Sequence, residues 1–146
     1  MAKAFSIEDG NLAKAPITSS ITRVYKDIDL TFTKKSSGDI FKKTDAAAVK
    51  QSVKNILMTN LTEKPFNPYF GGGLNDFLFE LSEDFSEIDI QEQVAQAIEN
   101  YEPRAKVKTV NVSLSPDYNT MRVNVRFTVI TTLENVVLEV DLVRLR

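Results

Sequence analysis

The chain reads as an α+β domain in which two to three helices pack on one face of a three-stranded antiparallel C-terminal meander, and three observations carry that reading. Two segments, over about 45–60 and 87–101, place apolar residues at helical spacing of three and four. The last third alternates apolar and polar residues with period two. Two short breaks, Pro116-Asp117-Tyr118-Asn119 and Thr132-Leu133-Glu134-Asn135, divide that third into strands and are short enough to make neighbours antiparallel.

Residues 1–20 hold small and polar residues, Gly10 and Pro16, without sustained periodicity, and are expected to form an extended or flexible N-terminal arm outside a single domain spanning 21–146. From Ile21 to Thr33, Val24, Ile28, Leu30 and Phe32 in a threonine-rich context suggest an extended segment lying on the core. Ser36-Ser37-Gly38-Asp39 then breaks the chain.

The first helix is expected to begin at Thr44 or Asp45, both favourable N-caps, and to run to about Asn60, which can serve as its C-cap. Val49, Val53, Ile56, Leu57 and Leu61 form one stripe, and Lys50 and Lys54 stay on the wet side. Leu74, Phe77, Leu78 and Leu81 make a short helix. Asp84 or Ser86 can cap the next one, with Glu87 in capping-box spacing from Asp84. That helix lines up Ile90, Val94, Ala97, Ile98 and Tyr101 and points Gln91, Glu92, Gln96 and Glu99 outward.

Four-residue loops predict a register with Val112 opposite Val123, Val125 opposite Leu142 and Arg126 opposite Asp141, which leaves the three apolar rows on one face. A meander buried on one side needs a cover, and the amphipathic helices supply it. The final strand departs from strict alternation at Val143 and Leu145. These are a bulge, a frayed end, or apolar residues for a partner strand added at an open edge.

Composition removes several classes of function. The chain has 146 residues, no cysteine and no histidine, and a net charge of −2. Disulfides, thiol nucleophiles, thiolate metal sites and the commonest general base are therefore absent, and no cofactor or metal is expected. Lys34-Lys35 and Lys42-Lys43 are the densest basic spots, too sparse for nucleic acid as the main partner. No run is long and apolar enough for a membrane span, and Met1-Ala2-Lys3-Ala4-Phe5 lacks the core of a signal peptide, so synthesis and folding in a cytoplasm are expected. Paired carboxylates are the one catalytic constellation available, with Glu80, Asp89 and Glu102 as candidates. Glu102 suits that role poorly, because the nearby Arg104 lowers a carboxyl pKa that a general acid needs raised.

Two local features stand out. Pro65, Phe66, Pro68, Phe70, Gly71 and Gly73 belong to a loop of prolines, aromatics and glycines. It reads as a rigid turn that tucks aromatics into the core while glycine supplies positive φ, and its spacing matches no phosphate-binding fingerprint. At Tyr101-Glu102-Pro103-Arg104 the proline forces Glu102 into extended geometry and stops the helix near Tyr101. Glu102 and Arg104, two apart in an extended segment, point the same way. They form either an intrachain clasp or a preorganised recognition corner.

Lys64-Pro65-Phe66-Asn67-Pro68-Tyr69-Phe70-Gly71-Gly72-Gly73-Leu74, then Leu78-Phe79-Glu80, then Asn100-Tyr101-Glu102-Pro103-Arg104 before a valine-rich meander, resembles the baseplate-wedge family of contractile-tailed bacteriophages. This is the sheath-initiating, lysozyme-like family with a counterpart in type VI secretion baseplates. The likeness runs from about Tyr25, in Tyr25-Lys26-Asp27-Ile28-Asp29, to the C-terminus; Gly72 departs from relatives that carry cysteine there. The resemblance implies a virion structural protein, made late, assembled in the host cytoplasm and resident in the tail baseplate. Glu102, Pro103 and Arg104 would anchor it to the helical core bundle of the wedge. Its sheet, through Val140, Leu142, Val143 and Leu145, would template the first ring of the tail sheath protein by strand addition, with tube or hub proteins as further neighbours. The same residues fit a bacterial injection machine equally well. The lysozyme-like name raises a muralytic alternative, in which histidine-free phage lysozymes use a Glu, eight residues, Asp or Cys, five residues, Thr pattern. Glu80 and Asp89 meet the first interval, but Ala95 stands where threonine is required.

Overall fold

A computed structural model describes residues 25–79, 86–115 and 120–144. Its elements run β1 (Lys26–Ile28), β2 (Lys42–Thr44), α1 (Asp45–Met58), α2 (Leu74–Phe79), α3 (Glu87–Tyr101), β3 (Ala105–Ser115), β4 (Thr120–Val129) and β5 (Asn135–Val143). Strands β3, β4 and β5 form an antiparallel sheet in that order, as the alternation predicts. Val49, Val53 and Leu57 from α1 and Ile90, Val94 and Ile98 from α3 pack on one face of it, against Val112, Met121, Val123, Val125, Phe127, Leu138, Val140 and Leu142. The fold is α+β, and the other face of the sheet is solvated.

The β3–β4 pairing has the expected register, with Val112 opposite Val123, and a bulge between Val107 and Thr109. The β4–β5 pairing differs. Val125 lies opposite Leu138, Met121 opposite Leu142, Arg122 opposite Asp141 and Arg126 opposite Val137. The reason is the turn, which sits earlier than the polar break suggested. Leu133 adopts φ 56° and donates its N–H to the Val129 carbonyl at 2.8 Å, so the chain reverses over Ile130–Leu133. The displacement is even-numbered, so every side chain keeps its predicted face.

Several helix ends also differ from expectation. Thr44 holds the N-cap position of α1 but makes no side-chain cap bond. The Asp45 carboxylate instead accepts the Tyr25 N–H at 3.2 Å, while the Asp45 N–H donates to the Tyr25 carbonyl at 2.8 Å. The helix closes at Thr59 rather than Asn60: the Thr59 N–H and Oγ1 both donate to the Asn55 carbonyl, at 3.0 and 2.7 Å. Leu61 therefore lies past the helix and is exposed. On α3 the cap is Ser86, one of the two expected residues, and its capping-box partner is Asp89, whose carboxylate accepts the Ser86 N–H at 2.8 Å. Leu81 and Asp84 lie outside the described residues.

The segment before α1 forms a feature that periodicity did not reveal, a ribbon of β1 paired with β2. Of the side chains expected on the core, Ile28, Leu30 and Phe32 are exposed and Val24 lies outside the described residues, while Tyr25 of the same segment packs against the core. Backbone bonding holds the ribbon. Gln51, buried in α1, donates to the Ile28 carbonyl at 2.8 Å and accepts the Leu30 N–H at 3.4 Å.

The aromatic-glycine loop is rigid for the expected reason but presents its aromatics differently. Phe66 and Tyr69 are fully or largely exposed, and only Phe70 is half-buried. What the loop buries is its glycine backbone. The Gly72 N–H donates to the Ile56 carbonyl at 2.9 Å, and Gln93 donates to the Gly72 carbonyl at 2.9 Å. Gly71 has φ 128°, and a Cβ there would meet the Thr59 carbonyl oxygen at 2.4 Å. Replacement of Gly71 by alanine combines a left-handed strain with a clash against backbone, so Gly71→Ala is expected to lose about 2 kcal/mol or more of stability. Urea unfolding followed by circular dichroism measures it, and an unchanged midpoint would contradict the tight loop.

Candidate functional site

The corner between the helical layer and the sheet is built by the turn Glu102–Ala105. The Glu102 N–H closes α3 on the Ile98 carbonyl at 2.8 Å, and the Ala105 N–H donates to the Glu102 carbonyl at 3.0 Å. Pro103 takes the second turn position, where its fixed φ is favourable, and stays exposed.

The structure decides what Glu102 and Arg104 do: they hold each other. Arg104 donates through Nε and Nη2 to the two carboxylate oxygens at 2.5 and 2.6 Å, a bidentate fork. Glu102 is 2% exposed while the Arg104 side chain is 34% exposed, so the carboxylate is enclosed and the guanidinium covers it from the surface side. Burial by itself would raise the Glu102 pKa; hydrogen bonds from Arg104 and from Ser52 of α1, with the guanidinium charge, outweigh it and hold the carboxyl below its ordinary value. The hydrogen bonds and charge of the Glu102 carboxylate raise Arg104 in turn.

Sequence reasoning missed the rest of the corner. The guanidinium lies over the Tyr25 ring, 4.8 Å from its centroid, and the Tyr25 hydroxyl accepts from Thr131 Oγ1 at 2.9 Å. The Ile130 N–H donates to the Arg104 carbonyl at 2.9 Å. The β4–β5 turn is thus bonded to the corner, and its Ile130 and Leu133 are exposed at 55% and 76%. The loop reaches the same end of α3. Tyr101 donates its hydroxyl to the Tyr69 carbonyl at 2.6 Å and meets the Phe70 ring edge-on at 4.9 Å, while Lys64 caps Phe70 at 3.8 Å. The predicted turn contained Leu133 but gave no reason to expect it at the corner, and Ile130 fell outside it because that turn lay two residues further on.

The sheet has two edges of different character. Strand β3 carries a bulge and the exposed Lys106 and Lys108, devices that blunt an edge. Strand β5 pairs with β4 without a shift, and no described strand lies on its other side. The Val129 N–H bonds the Glu134 carbonyl at 3.0 Å, and bonded pairs recur at every second residue of an antiparallel ladder. Leu138, Val140 and Leu142 therefore turn their backbone groups to β4 and, being buried, their side chains to the core. Val137, Glu139, Asp141 and Val143 turn theirs to the open edge. Of the four residues expected to meet a partner strand, Val140 and Leu142 are committed to the core, Val143 is on the open edge, and Leu145 lies outside the described residues.

Among the acid candidates, Asp89 is held below the ordinary carboxylate range by the Ser86 N–H and hydroxyl, opposite to a general acid, and Glu80 lies outside the described residues. No described group of carboxylates could hold a metal ion, and no helix among the described residues is long and apolar enough to cross a membrane.

The model of the family described as baseplate wedge protein gp25 matches residues 43–134, from β2 through the loop and corner to the β4–β5 turn. The chain belongs to this family. A gp25-family relative, the baseplate wedge protein gp25 of Enterobacteria phage T4, is 30% identical over 118 residues, 81% of this chain and 89% of that protein. Two solved structures share the gp25-type fold at 22% identity. The anti-feeding prophage baseplate superposes with a TM-score of 0.64 over 73% of this chain and 86% of the matched one. A Geobacter sulfurreducens protein described as a tail lysozyme gives 0.58 over 67% and 89%.

The corner has a definite pH signature. A lowered Glu102 pKa means that its contribution is complete above the ordinary carboxyl value, here 4.5, and is lost as pH falls through the lower folded value. Without the guanidinium, burial raises the pKa and the sign reverses, so Arg104→Met gains stability as pH falls toward 4. At neutral pH the variant is expected to be about 2–3 kcal/mol less stable than the parent. Urea midpoints between pH 3.5 and 7 test this; parallel pH profiles for parent and variant would exclude a buried pair.

Proposed function

We propose that this protein is a structural subunit of a contractile-tail baseplate wedge, without catalytic activity, and that it templates the first sheath ring by accepting a strand on β5. Membership of the gp25 family supports the baseplate role. The open, unshifted β5 edge beside a blunted β3 edge is the observation that carries the templating role, since strand addition needs free backbone groups in a fixed register. The corner of Glu102, Pro103 and Arg104 is the attachment to the wedge core bundle, but its contact surface is Pro103, the outer part of Arg104, Ile130 and Leu133. Glu102 acts from behind by holding Arg104. Preorganisation of this kind lowers the entropy lost on docking.

In this reading the protein resides in the virion tail baseplate after assembly in the host cytoplasm, with wedge and sheath proteins as its principal neighbours and tube or hub proteins nearby. The T4 relative favours a phage over a secretion machine, whereas the fold is shared with the anti-feeding prophage baseplate. Genomic neighbours separate the two: capsid genes beside sheath and tube genes mark a phage. The muralytic alternative has little support, since Asp89 is spent on a helix cap and Glu102 on Arg104.

Two sets of variants separate the two contacts. Proline at Val137 removes an N–H that points away from β4, so Val137→Pro leaves the domain folded yet blocks strand addition. Ile130→Ser with Leu133→Ser removes exposed apolar surface at the corner. Electron microscopy of mixtures with wedge and sheath proteins should show wedges without sheath for the first and free subunit for the second. Sheath rings growing normally on Val137→Pro would refute templating through β5.

A further inference from the structure

The groove beside the open edge has a chemistry of its own. A cavity of about 350 Å³ opens between α1, the segment after β1 and β5, and Leu30, Ala47 and Leu138 are among its lining residues. Three lysines also line it. Lys43 is paired with Asp29 at 3.2 Å. Lys50 and Lys54, one turn apart on α1, are exposed and have no carboxylate partner among the described residues. A strand hydrogen-bonded to β5 would lie about 4.8 Å beyond it, and its core-side residues would face this flank of α1.

We infer that the strand received by β5 carries carboxylates at alternate positions on its groove side, which pair with Lys50 and Lys54. This deepens the strand-addition reading and rests on it. Same-side residues on a strand recur about every 6.6 Å, and one helical turn rises about 5.4 Å, so two acidic residues at i and i+2 can each meet one lysine. Partial enclosure by Leu30, Ala47 and Leu138 strengthens such pairs relative to open solvent.

The other occupants fit worse. A second copy pairing β5 against β5 would set Glu139 and Asp141, which already share Arg122 at 3.1 and 2.7 Å, against their own counterparts on the outer face. The chain's own first 24 residues hold Lys3, Lys14 and Arg23 against Glu8 and Asp9. Those two acids are consecutive, so a strand would turn them to opposite sides. An acidic strand from a different chain meets neither difficulty.

Both contacts can be tested on the intact chain with purified sheath protein and with two short synthetic peptides. One peptide has glutamate at every second position with threonine and valine between; the other has lysine for glutamate. The parent should bind the glutamate peptide about tenfold more tightly than the lysine peptide, by fluorescence anisotropy at low salt. Lys50→Glu with Lys54→Glu should reverse that preference and reduce sheath recruitment, and Val137→Pro should abolish binding of both peptides. If Val137→Pro blocks sheath recruitment while the double glutamate variant recruits normally, strand addition stands and the charge pairing is wrong. If neither substitution affects recruitment, both fall. Tighter peptide binding after removal of residues 1–20 would mean that the chain's own arm fills the groove, and would overturn the inference.

Discussion

One buried carboxylate sets the geometry of the region where helices meet sheet. Glu102 is 2% exposed, and a carboxylate so enclosed is tolerable only when its lone pairs are answered. Arg104 supplies two charge-assisted bonds. The pair therefore fixes the exit of α3 and the start of β3 relative to one another. Tyr25 over the guanidinium and Thr131 on the Tyr25 hydroxyl extend the same constraint to the chain before β1 and to the β4–β5 turn.

This junction joins two surfaces that would otherwise be unrelated. The corner exposes Pro103, and beside it the turn exposes Ile130 and Leu133. The turn in turn begins β5, on whose outer side no described strand lies. Because the Ile130 N–H is bonded to the Arg104 carbonyl, the corner and the start of β5 are held in one fixed relation. The unshifted β4–β5 ladder carries the register set at that turn along the sheet.

Much of this was legible in the residues. Period-two alternation revealed the strands and their buried face, since it is a local consequence of the pleat. Pro103 stopped α3 at Tyr101 for an equally local steric reason. The consecutive glycines marked a loop of special backbone, and Gly71 and Gly73 do take positive φ. What failed were features that depend on distant partners. The β4–β5 register rests on Leu133 in a left-handed conformation, which leucine's local preference gives no reason to expect. Phe66 and Tyr69 face outward because the loop packs by its glycine backbone, a choice made by Ile56, Thr59 and Gln93 elsewhere in the chain.

The sequence by itself determined the fold class, the one-sided core, the helix stop at the corner and the exclusion of thiol and imidazole chemistry, because each follows from composition or from neighbours within a few residues. Tertiary structure alone decided that Glu102 is buried and mated to Arg104, that Ile130 and Leu133 flank the corner, and that β5 offers Val137, Glu139, Asp141 and Val143 while Val140 and Leu142 face the core. The physical reason is common to all three. Desolvation and hydrogen-bond pairing are properties of groups brought together from far along the chain, so residue spacing cannot state whether a charge will be wet or enclosed, nor which edge of a sheet will remain open.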